Sequence, residues 1–298
     1  MIPSLMSHSD SSDLKSPQDT NIVMTLLVRN EEDIVDWNLK FHYSLGVNFV
    51  IATDNNSVDA TPEILRHYEK EGKLHYIRED SDDYSQGKWV TRMARLAATE
   101  YNADWVINND ADEFWLPLQG DLRQTLSSID SATGCISYER LNFPPVTSDS
   151  QASLPFWRRM VIRQSSSTNY LGKPLPRKVC HRGHPSVSVE QGNHAVQGIP
   201  GEQQTLDTIN ILHFPIRTYN QFETKIALGG AAYERNSTLP KRVGSTWRLL
   251  YEMYKRGQLR DWYNQQLIPS TSCSEKLSIS PGFVLDTRLR SFFSASTR

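Results

Sequence analysis

Four short apolar runs alternate with segments of helical spacing in the first 110 residues of the chain, at 22–28, 47–53, 73–78 and 105–108. Continuous runs of this length are typical of strands that are buried on both faces of a sheet. A helix between each pair of strands predicts right-handed crossovers, and therefore a mostly parallel sheet with helices on both faces. Ligands of such sheets bind beyond the carboxyl ends of the strands, so the residues that follow each run are the first candidates for a site.

The helical segments carry their own start and stop signals. We predict a first helix that is capped by Asn30 and ends at Gly46. A second helix is predicted from Thr61, as its N-cap, to Gly72, and a third over 88–101.

The pattern changes after residue 134. Broken strands are predicted at 135–138, 156–163, 187–189 and 208–212, between loops rich in Pro, Gly and Ser, and they predict a mixed extension that forms one wall of a pocket.

Helical spacing returns near the end of the chain. Thr218 and Gln221 predict a capping box for a helix that ends at Gly229-Gly230. A further helix is predicted over 245–256, followed by a polar tail.

Composition excludes several classes of protein. The 32 Lys and Arg residues nearly balance 34 Asp and Glu residues, which argues against a nucleic-acid partner held by bulk charge. The three cysteines are scattered and lack CxxC spacing, so they predict a reducing compartment and no disulfide framework. No apolar run approaches the roughly 18 residues of a membrane helix, and 1–20 lacks the apolar core of a signal peptide. We therefore expect a cytoplasmic protein without stable membrane insertion, which contacts the inner face of a membrane at most peripherally.

Polar, mainly acidic clusters follow the first, second and fourth predicted strands, at 29–31, 54–59 and 109–113. Their acidity would repel an anionic ligand, so a nucleotide would need a bridging cation there. Asp110 and Asp112 are two residues apart, and in extended chain both would present oxygens to the same side. Carboxylates suit Mg²⁺ or Mn²⁺. An Asp pair after a strand is also common as a turn or a helix cap.

Four segments in this order resemble a known family. They are VMTLLVRNEEDIVDW, VIATDNNSVDAT, WVTRMARLAATEYNADWVINNDADEFW and ILHFPIRTYNQFETKI. Together they resemble the family-2-like glycosyltransferases of the GT-A fold, in particular the branch with an RNE first strand and a DxDEF motif. The resemblance implies an α/β, Rossmann-like GT-A fold with a mixed acceptor-side extension and C-terminal helices. It also implies inverting transfer of a hexose from a nucleotide-diphosphate sugar, usually UDP-linked, with Mn²⁺ or Mg²⁺ as cofactor.

The resemblance covers about 21–235 and sets the bounds of the expected glycosyltransferase domain. Residues 1–20 have little to bury, so we expect a disordered tail there, and a C-terminal helical extension and tail over 236–298. Between them, 21–115 would bind the nucleotide and 116–235 the acceptor. The acceptor would be a glycan, a lipid-linked glycan or a protein, for example in polysaccharide biosynthesis, and the sequence identifies neither it nor the donor sugar.

The resemblance also implies roles for individual residues. Asp54 would accept a hydrogen bond from the uracil imide, Arg92 would face the nucleotide, and His213 would be a further metal ligand. With Arg29 from the first strand end and Lys88 from the chemistry of the leaving group, the candidates for binding the nucleotide sugar are Arg29, Asn30, Glu31, Asp54, Lys88, Arg92 and Asp110. Those implied in binding the metal are Asp110, Asp112 and His213.

The chemistry requires the same residue types. Departure of a nucleoside diphosphate builds negative charge, which a cation with Arg92 or Lys88 would neutralise in the transition state. A carboxylate must also take the proton of the acceptor hydroxyl. The candidates for this general base are Glu113, Glu139 and Glu190, with Glu202 and Asp207 in the same half of the chain, and the sequence does not rank them.

Other interpretations of these residues stay open. Asp54 fits an ordinary turn, Lys88 and Arg92 a solvated helix face, and Asn30 a helix cap. Cys180 lies near three histidines that could form a zinc site, although their spacing is irregular: His181, His184 and His194. At the level of function, the alternatives are a nucleotidyltransferase-like enzyme and a catalytically silent carbohydrate-binding module on the same fold.

Overall fold

The computed structural model describes residues 15–82, 85–147, 154–169, 171–237, 239–240, 242–268 and 281–296. Fourteen strands lie in the described chain: β1 (Ile22–Val28), β2 (Phe49–Asp54), β3 (Leu74–Arg78), β4 (Trp105–Asp110), β5 (Glu113–Pro117), β6 (Thr133–Tyr138), β7 (Arg140–Asn142), β8 (Ile162–Gln164), β9 (Lys178–Arg182), β10 (Ser188–Val189), β11 (Val196–Gln197), β12 (Glu202–Thr205), β13 (Ile209–His213) and β14 (Phe283–Leu285). The α-helices of the same residues are α1 (Val35–Ser44), α2 (Thr61–Lys70), α3 (Gln86–Thr99), α4 (Leu122–Ser127), α5 (Phe156–Arg159), α6 (Tyr219–Arg235), α7 (Ser245–Lys255), α8 (Leu259–Gln266) and α9 (Arg288–Ser296).

A seven-stranded sheet in the order β12-β6-β9-β4-β1-β2-β3 forms the centre of the fold. Strands β4, β1, β2 and β3 are mutually parallel, β12 is parallel to β6, and β9 is antiparallel to both of its neighbours. The predicted α/β class with a mostly parallel sheet is confirmed.

Alternate residues of β1 face two different hydrophobic cores. Met24 and Leu26 pack in the larger core with residues of α1 and α2, whereas Val23 packs with Val90 and Met93 of α3 on the other face. Each face of β1 is therefore covered by a helix, which explains why the strand is apolar without interruption.

A second sheet of three strands, in the order β5-β13-β7, lies beside the end of β4. Strand β5 runs antiparallel to β13 and pairs Glu113 with His213. Strand β7 runs parallel to β13 and pairs His213 with Asn142. This sheet brings three distant parts of the chain to one point.

The prediction that a helix ends at Gly229-Gly230 is wrong, because α6 continues to Arg235. The two glycines are contact points for α7. A Cβ on Gly229 would lie 2.5 Å from the ring of Trp247, and one on Gly230 would lie 2.3 Å from Cγ of Tyr251. Here glycine permits close helix packing.

Two predicted helix caps are also wrong. Asn30 lies in the left-handed region, with a φ of 53°, and α1 begins only at Val35. Thr61 is the first residue of α2 and not its N-cap, which is Ala60. The hydroxyl of Thr61 accepts instead from the backbone N–H of Glu31 at 2.9 Å, so it joins the loops that follow β1 and β2.

Two further segments differ from the predictions. The strand predicted at 156–163 is the short helix α5 followed by β8, because Phe156, Trp157 and Met160 are buried at helical spacing. The predicted polar C-terminal tail contains α8 and α9, and Phe293 of α9 packs against Trp37 with ring centroids 5.0 Å apart.

The predicted N-terminal tail is described only from residue 15, and 1–14 lie outside the described residues. A short 3-10 helix covers Pro17–Asp19, and Thr20 is buried. Lys15 pairs with Asp104 at 2.6 Å.

Candidate active site

The carboxyl ends of β1, β2 and β4 lie side by side, as the sequence predicts. The register pairs Leu27 with Asp110 on one side of β1 and Val28 with Asp54 on the other. Two of the predicted acidic clusters therefore flank the end of the first strand.

Two buried polar side chains of α1 form hydrogen bonds with the turn between β4 and β5 and with the start of β5. Nδ2 of Asn38 donates to the carbonyl oxygens of Ala111 at 2.9 Å and Glu113 at 2.7 Å. Nε2 of His42 accepts from the backbone N–H of Trp115 at 3.2 Å. Sequence reasoning assigned no role to Asn38 or His42, although two polar residues four apart on an otherwise apolar helix face were a signal.

This turn presents a compact group of potential metal ligands. One ligand atom from each of Asp112, Glu113 and His213 lies within 4.8 Å of the other two. Asp112 and His213 were predicted as metal ligands, and Glu113 was predicted as a candidate base. Asp110, the third predicted ligand, is not in this group.

The imidazole of His213 is held in a neutral, oriented state. Burial lowers the pKa of His213 to about 3, against the opposing effect of Asp112. Nδ1 of His213 lies 3.0 Å from Oδ1 of Asn142 and donates to it, because this oxygen is only an acceptor. The lone pair of Nε2 is then available, and Nε2 lies 3.9 Å from the Asp112 carboxylate.

The two carboxylates of the group differ in their affinity for protons. Burial alone would raise the pKa of Asp112, but the neighbouring basic side chains, of which Lys225 contributes most, outweigh it and hold this pKa well below its usual range. For Glu113, burial dominates and raises the pKa to about 7, opposed by Lys178 and Arg140.

Three basic side chains that sequence reasoning missed neutralise these acids. Lys225 of α6 contacts Asp112 at 2.7 Å, Arg140 of β7 contacts Glu113 at 3.3 Å, and Lys178 of β9 contacts Glu113 at 3.4 Å. Lys178 is almost fully buried, and lysines are rarely buried to this extent unless they are paired with an acid. Its burial therefore indicates that the ion pair has a structural or functional role. Only the fold brings these residues to Asp112 and Glu113.

A further buried ion network joins the end of β1 to the segment after β13. Arg217 donates to Glu31 at 2.6 Å and to both carboxylate oxygens of Asp33, at 2.7 and 2.8 Å. The other oxygen of Glu31 accepts from Lys225 at 3.2 Å. Glu31, predicted to bind the nucleotide sugar, is thus linked to Asp112 through one lysine.

Asp110 has partners of its own. Lys178 pairs with one of its oxygens, and Nδ2 of Asn193 donates to the other at 3.1 Å. The chain turns after Asp110, so the extended geometry that would align Asp110 with Asp112 ends there. Lys178 contacts both Asp110 and Glu113, and it joins Asp110 to the metal-ligand group.

The remaining residues at the first two strand ends form a tight set of turns. Asp54 is buried and accepts from the hydroxyl of Tyr76 at 2.8 Å and from the backbone N–H of Ser57 at 3.0 Å. The side chain of Asn30 accepts from the backbone N–H of Val58 at 2.8 Å. Arg29 pairs with Asp82 at 2.7 Å. The structure brings Arg29, Asn30 and Asp54 to one edge.

The predicted basic residues of α3 are exposed. Lys88 faces solvent, and Arg92, whose side chain is also largely exposed, pairs with Glu79 at 3.3 Å. The solvated-face interpretation accounts for both positions as they stand in the structure.

The three base candidates have different environments. Glu113 is fully buried in the metal-ligand group. Glu139 and Glu190 are exposed, and Glu190 accepts from the side chain of Gln197 at 3.2 Å.

The possible zinc ligands are not brought together. Nδ1 of His181 and Nδ1 of His194 bond to the backbone oxygens of Arg182 and Arg177, each at 2.8 Å. Across the described part of the chain, the group of Asp112, Glu113 and His213 is the one in which three such ligand atoms approach closely enough to share an ion.

A polar cavity lies next to the metal-ligand group. Its lining is uncharged, and it consists of Asn142, Phe143, Pro144, Pro145, Gln164, Thr168, Asn169, Pro215 and Gln266. Asn142 belongs to both places, because its Oδ1 orients His213 while its Nδ2 donates to Gln164 at 3.2 Å.

Comparisons with solved structures find matches of low sequence identity. The structure of TarS 1-349 from S. aureus in complex with UDP is 11% identical, with a TM-score of 0.42 over 81% of this chain and 73% of that one. The mannosyltransferase PcManGT from Pyrobaculum calidifontis, in complex with GDP-Man and Mn²⁺, is 14% identical, with a TM-score of 0.39 over 94% and 81% of the two chains. A cytidylyltransferase from Leptospira borgpetersenii is 15% identical, with a TM-score of 0.26 over 40% and 53%.

None of the curated proteins compared with the chain matches it significantly in sequence. No helix in the described residues has both the length and the apolar character that a bilayer crossing requires.

The family is settled by a sequence profile. The profile of glycosyltransferase family 92 matches residues 27–266, which include the end of β1, strands β2 to β13 and every member of the metal-ligand group. The narrower resemblance to a branch with RNE and DxDEF motifs stays a prediction. By this match, the chain belongs to glycosyltransferase family 92.

Proposed function

We propose that the protein is a metal-dependent, inverting glycosyltransferase that moves a hexose from a UDP-linked sugar to an acceptor hydroxyl. The observation that carries this proposal is the group of Asp112, Glu113 and His213, largely buried beside the carboxyl end of β4. Ligands of parallel sheets bind at this edge, and the group has the oxygen and nitrogen donors that a divalent cation needs.

The residues present fit a divalent cation such as Mn²⁺ or Mg²⁺. Oε2 of Glu113 is buried and has no hydrogen-bond partner among the described residues, so an acceptor oxygen there is unused. His213 is neutral and its Nδ1–H is fixed by Asn142, the arrangement by which outer contacts orient metal-binding histidines. Asp112, Glu113 and His213 would hold the cation, which when bound would stabilise the charge of the departing diphosphate.

The strand ends support a place for the nucleotide. Asp54, Asn30 and Arg29 lie at the edge that Asp110 shares, and we propose that they surround the nucleoside and ribose. The fixed turns around Asp54 and Asn30 keep these polar groups in place before the ligand binds, which lowers the entropy cost of binding.

The transfer step requires a base on the face of the sugar opposite the diphosphate. The acceptor oxygen forms a bond to the anomeric carbon as its proton passes to a carboxylate, and the bond to the diphosphate breaks with its electron pair remaining on the diphosphate oxygen. Glu113, Glu139 and Glu190 are the candidates. Glu139→Gln and Glu190→Gln test two of them, because loss of a base lowers transfer by about 10² to 10⁴ while leaving Mn²⁺-dependent UDP binding unchanged. Glu113→Gln also alters a proposed cation ligand, so a base role for Glu113 requires a loss of transfer that exceeds the loss of Mn²⁺ binding.

We propose the cavity beside Asn142 as the acceptor site. Amide side chains, a hydroxyl, an aromatic ring and prolines line it, and no charged residue does. Such a lining supports an uncharged, hydroxyl-rich glycan as the part of the acceptor that enters the cavity, because amides both donate to and accept from hydroxyl groups.

The test is thermal unfolding of the protein with UDP, with and without Mn²⁺. We expect UDP to raise the melting temperature only with Mn²⁺, and Asp112→Ala to abolish the shift. Asp261→Ala, at an exposed position of α8, is the matched control and should behave as the wild type. Hydrolysis of UDP-glucose, UDP-galactose, UDP-N-acetylglucosamine and GDP-mannose then identifies the donor.

Three outcomes would contradict the proposal. A shift with UDP that does not need Mn²⁺ would remove the metal from the mechanism. A preference for nucleoside triphosphates would favour a nucleotidyltransferase-like enzyme. Binding of sugars without any hydrolysis of the donors would favour a silent binding module.

A further inference from the structure

Lys225 occupies an unusual position between two acids of the site. Its Nζ lies 2.7 Å from Oδ2 of Asp112 and 3.2 Å from Oε1 of Glu31. Contact with two carboxylates favours the charged ammonium over the neutral amine, so Lys225 carries its ordinary positive charge here. The positive charge of Lys225 therefore contacts a carboxylate, that of Asp112, which is also a proposed cation ligand.

A cation that binds Asp112 must compete with this ammonium. The two positive charges repel each other, and both require the same carboxylate. Arg217 is not free to move to another anion, because its guanidinium is buried and already bonded to Glu31, Asp33 and the carbonyl oxygen of Phe214. Lys225 differs from it, since its side chain is 26% exposed and has a flexible stem that can move to another anion.

The diphosphate of the donor is the anion that arrives with the cation. Magnesium and manganese sites of this kind complete their coordination with phosphate oxygens, so the diphosphate would lie close to Asp112, on the same cation. An ammonium released from Asp112 would then find a new negative partner close to its old one.

We propose that Lys225 is an exchangeable counter-ion of the active site, which holds Asp112 before the cation binds and transfers to the donor diphosphate afterwards. This inference rests on the proposed function. It makes cation and nucleotide binding mutually dependent, because the exchange is complete only when both are present, and such coupling is reciprocal between the two ligands. Lys225 would also replace Lys88 and Arg92 as the cationic side chain at the leaving group.

Calorimetric titration of Mn²⁺ tests the exchange without measuring transfer. Wild-type protein is titrated alone and with saturating UDP, beside Lys225→Met and the charge-conserving Lys225→Arg. We expect Lys225→Met to bind Mn²⁺ alone at least about 10-fold more tightly than the wild type, the scale of a close charge pair. The factor by which UDP strengthens Mn²⁺ binding should be about 10-fold smaller in Lys225→Met than in the wild type. Lys225→Arg should keep the wild-type affinities and the wild-type factor.

The controls separate this inference from the proposed function. Lys255→Met removes an exposed lysine of α7 that pairs with Glu234 and Glu252, and it should match the wild type. If Lys225→Met unfolds, Lys225→Gln removes the charge and keeps an N–H donor. Wild-type affinity for Mn²⁺ in a folded, charge-removed variant, or loss of the coupling in Lys225→Arg, overturns the exchange. If the wild type binds neither Mn²⁺ nor UDP, the proposed function itself fails.

Discussion

Replacement of Asn38 by alanine should both destabilise the protein and loosen the metal-ligand group. Asn38 is fully buried, and its amide donates to the carbonyl oxygens of Ala111 and Glu113, on both sides of Asp112. Its Oδ1 also accepts from Nδ2 of Asn109 at 3.0 Å. Alanine removes all three hydrogen bonds and supplies no partner in return.

The magnitude follows from these contacts. A net loss of about 1 kcal/mol for each of the hydrogen bonds gives about 3 kcal/mol, and polar groups left buried without partners add to it. This is a substantial part of the roughly 5 to 15 kcal/mol that stabilises a domain, so the variant should still fold. Because outer contacts typically change metal affinity by about 10- to 100-fold, Mn²⁺-dependent UDP binding should weaken by about that factor.

Urea unfolding and calorimetric titration measure the two effects of Asn38→Ala. Asn48→Ala is the matched control, because Oδ1 of Asn48 accepts from the backbone N–H of Ile22 at 3.0 Å, at the opposite end of β1. The control should lose about 1 kcal/mol or less and should bind UDP with Mn²⁺ as the wild type does. Wild-type stability and wild-type binding in Asn38→Ala would refute the role of α1 in holding the turn.

Three further predictions concern stability and the acceptor. Burial lowers the pKa of His42 and of His181 to about 4, whereas an unfolded chain has a histidine pKa of about 6.5. Between these two pKa values the unfolded chain binds more protons than the folded chain, so the free energy of unfolding is highest above about pH 6.5 and falls by about 2 kcal/mol for each histidine between about pH 7 and pH 5. Urea unfolding at pH 7 and at pH 5 measures this fall, and an unaltered pH dependence in His42→Gln would contradict it. Gly230→Ala should lower the melting temperature, with a loss of about 1 to 3 kcal/mol, because its Cβ would lie 2.3 Å from Cγ of Tyr251; a higher melting temperature, which helix propensity alone predicts, would disprove the packing argument. Gln266→Ala should raise the KM for the acceptor and leave donor hydrolysis unchanged, and an unchanged KM would place the acceptor elsewhere.

The first half of the fold could be predicted because its signals are local. Strand β1 spans Ile22–Val28, as the apolar run predicts, since both faces of a central strand need apolar residues. The helix end predicted at Gly229-Gly230 failed because a glycine pair has two uses, termination and close packing, and only the approach of α7 decides between them.

The candidate site was predictable in part for a similar reason. Asp112 follows a recognisable strand, and His213 lies in a segment that resembles a known family. Their partners could not be assigned from the sequence, although Lys225 lies in the same segment as His213, because Lys178 and Lys225 reach the acids from elements that are far from them along the chain. Charge alone cannot show which lysine is buried in an ion pair and which faces solvent.

The sequence by itself determined the alternation of strands and helices, the acidic strand ends and the family. These depend on apolar periodicity and on short motifs, which are properties of neighbouring residues. The tertiary structure decided which acids share a metal-ligand group and which cations neutralise them, with Asp112 beside His213 and Lys225, and Asp110 beside Lys178 and Asn193. The physical reason is that electrostatic contacts act through space over a few ångströms, whereas the order of residues along the chain fixes no distance between elements that meet only when the sheets assemble.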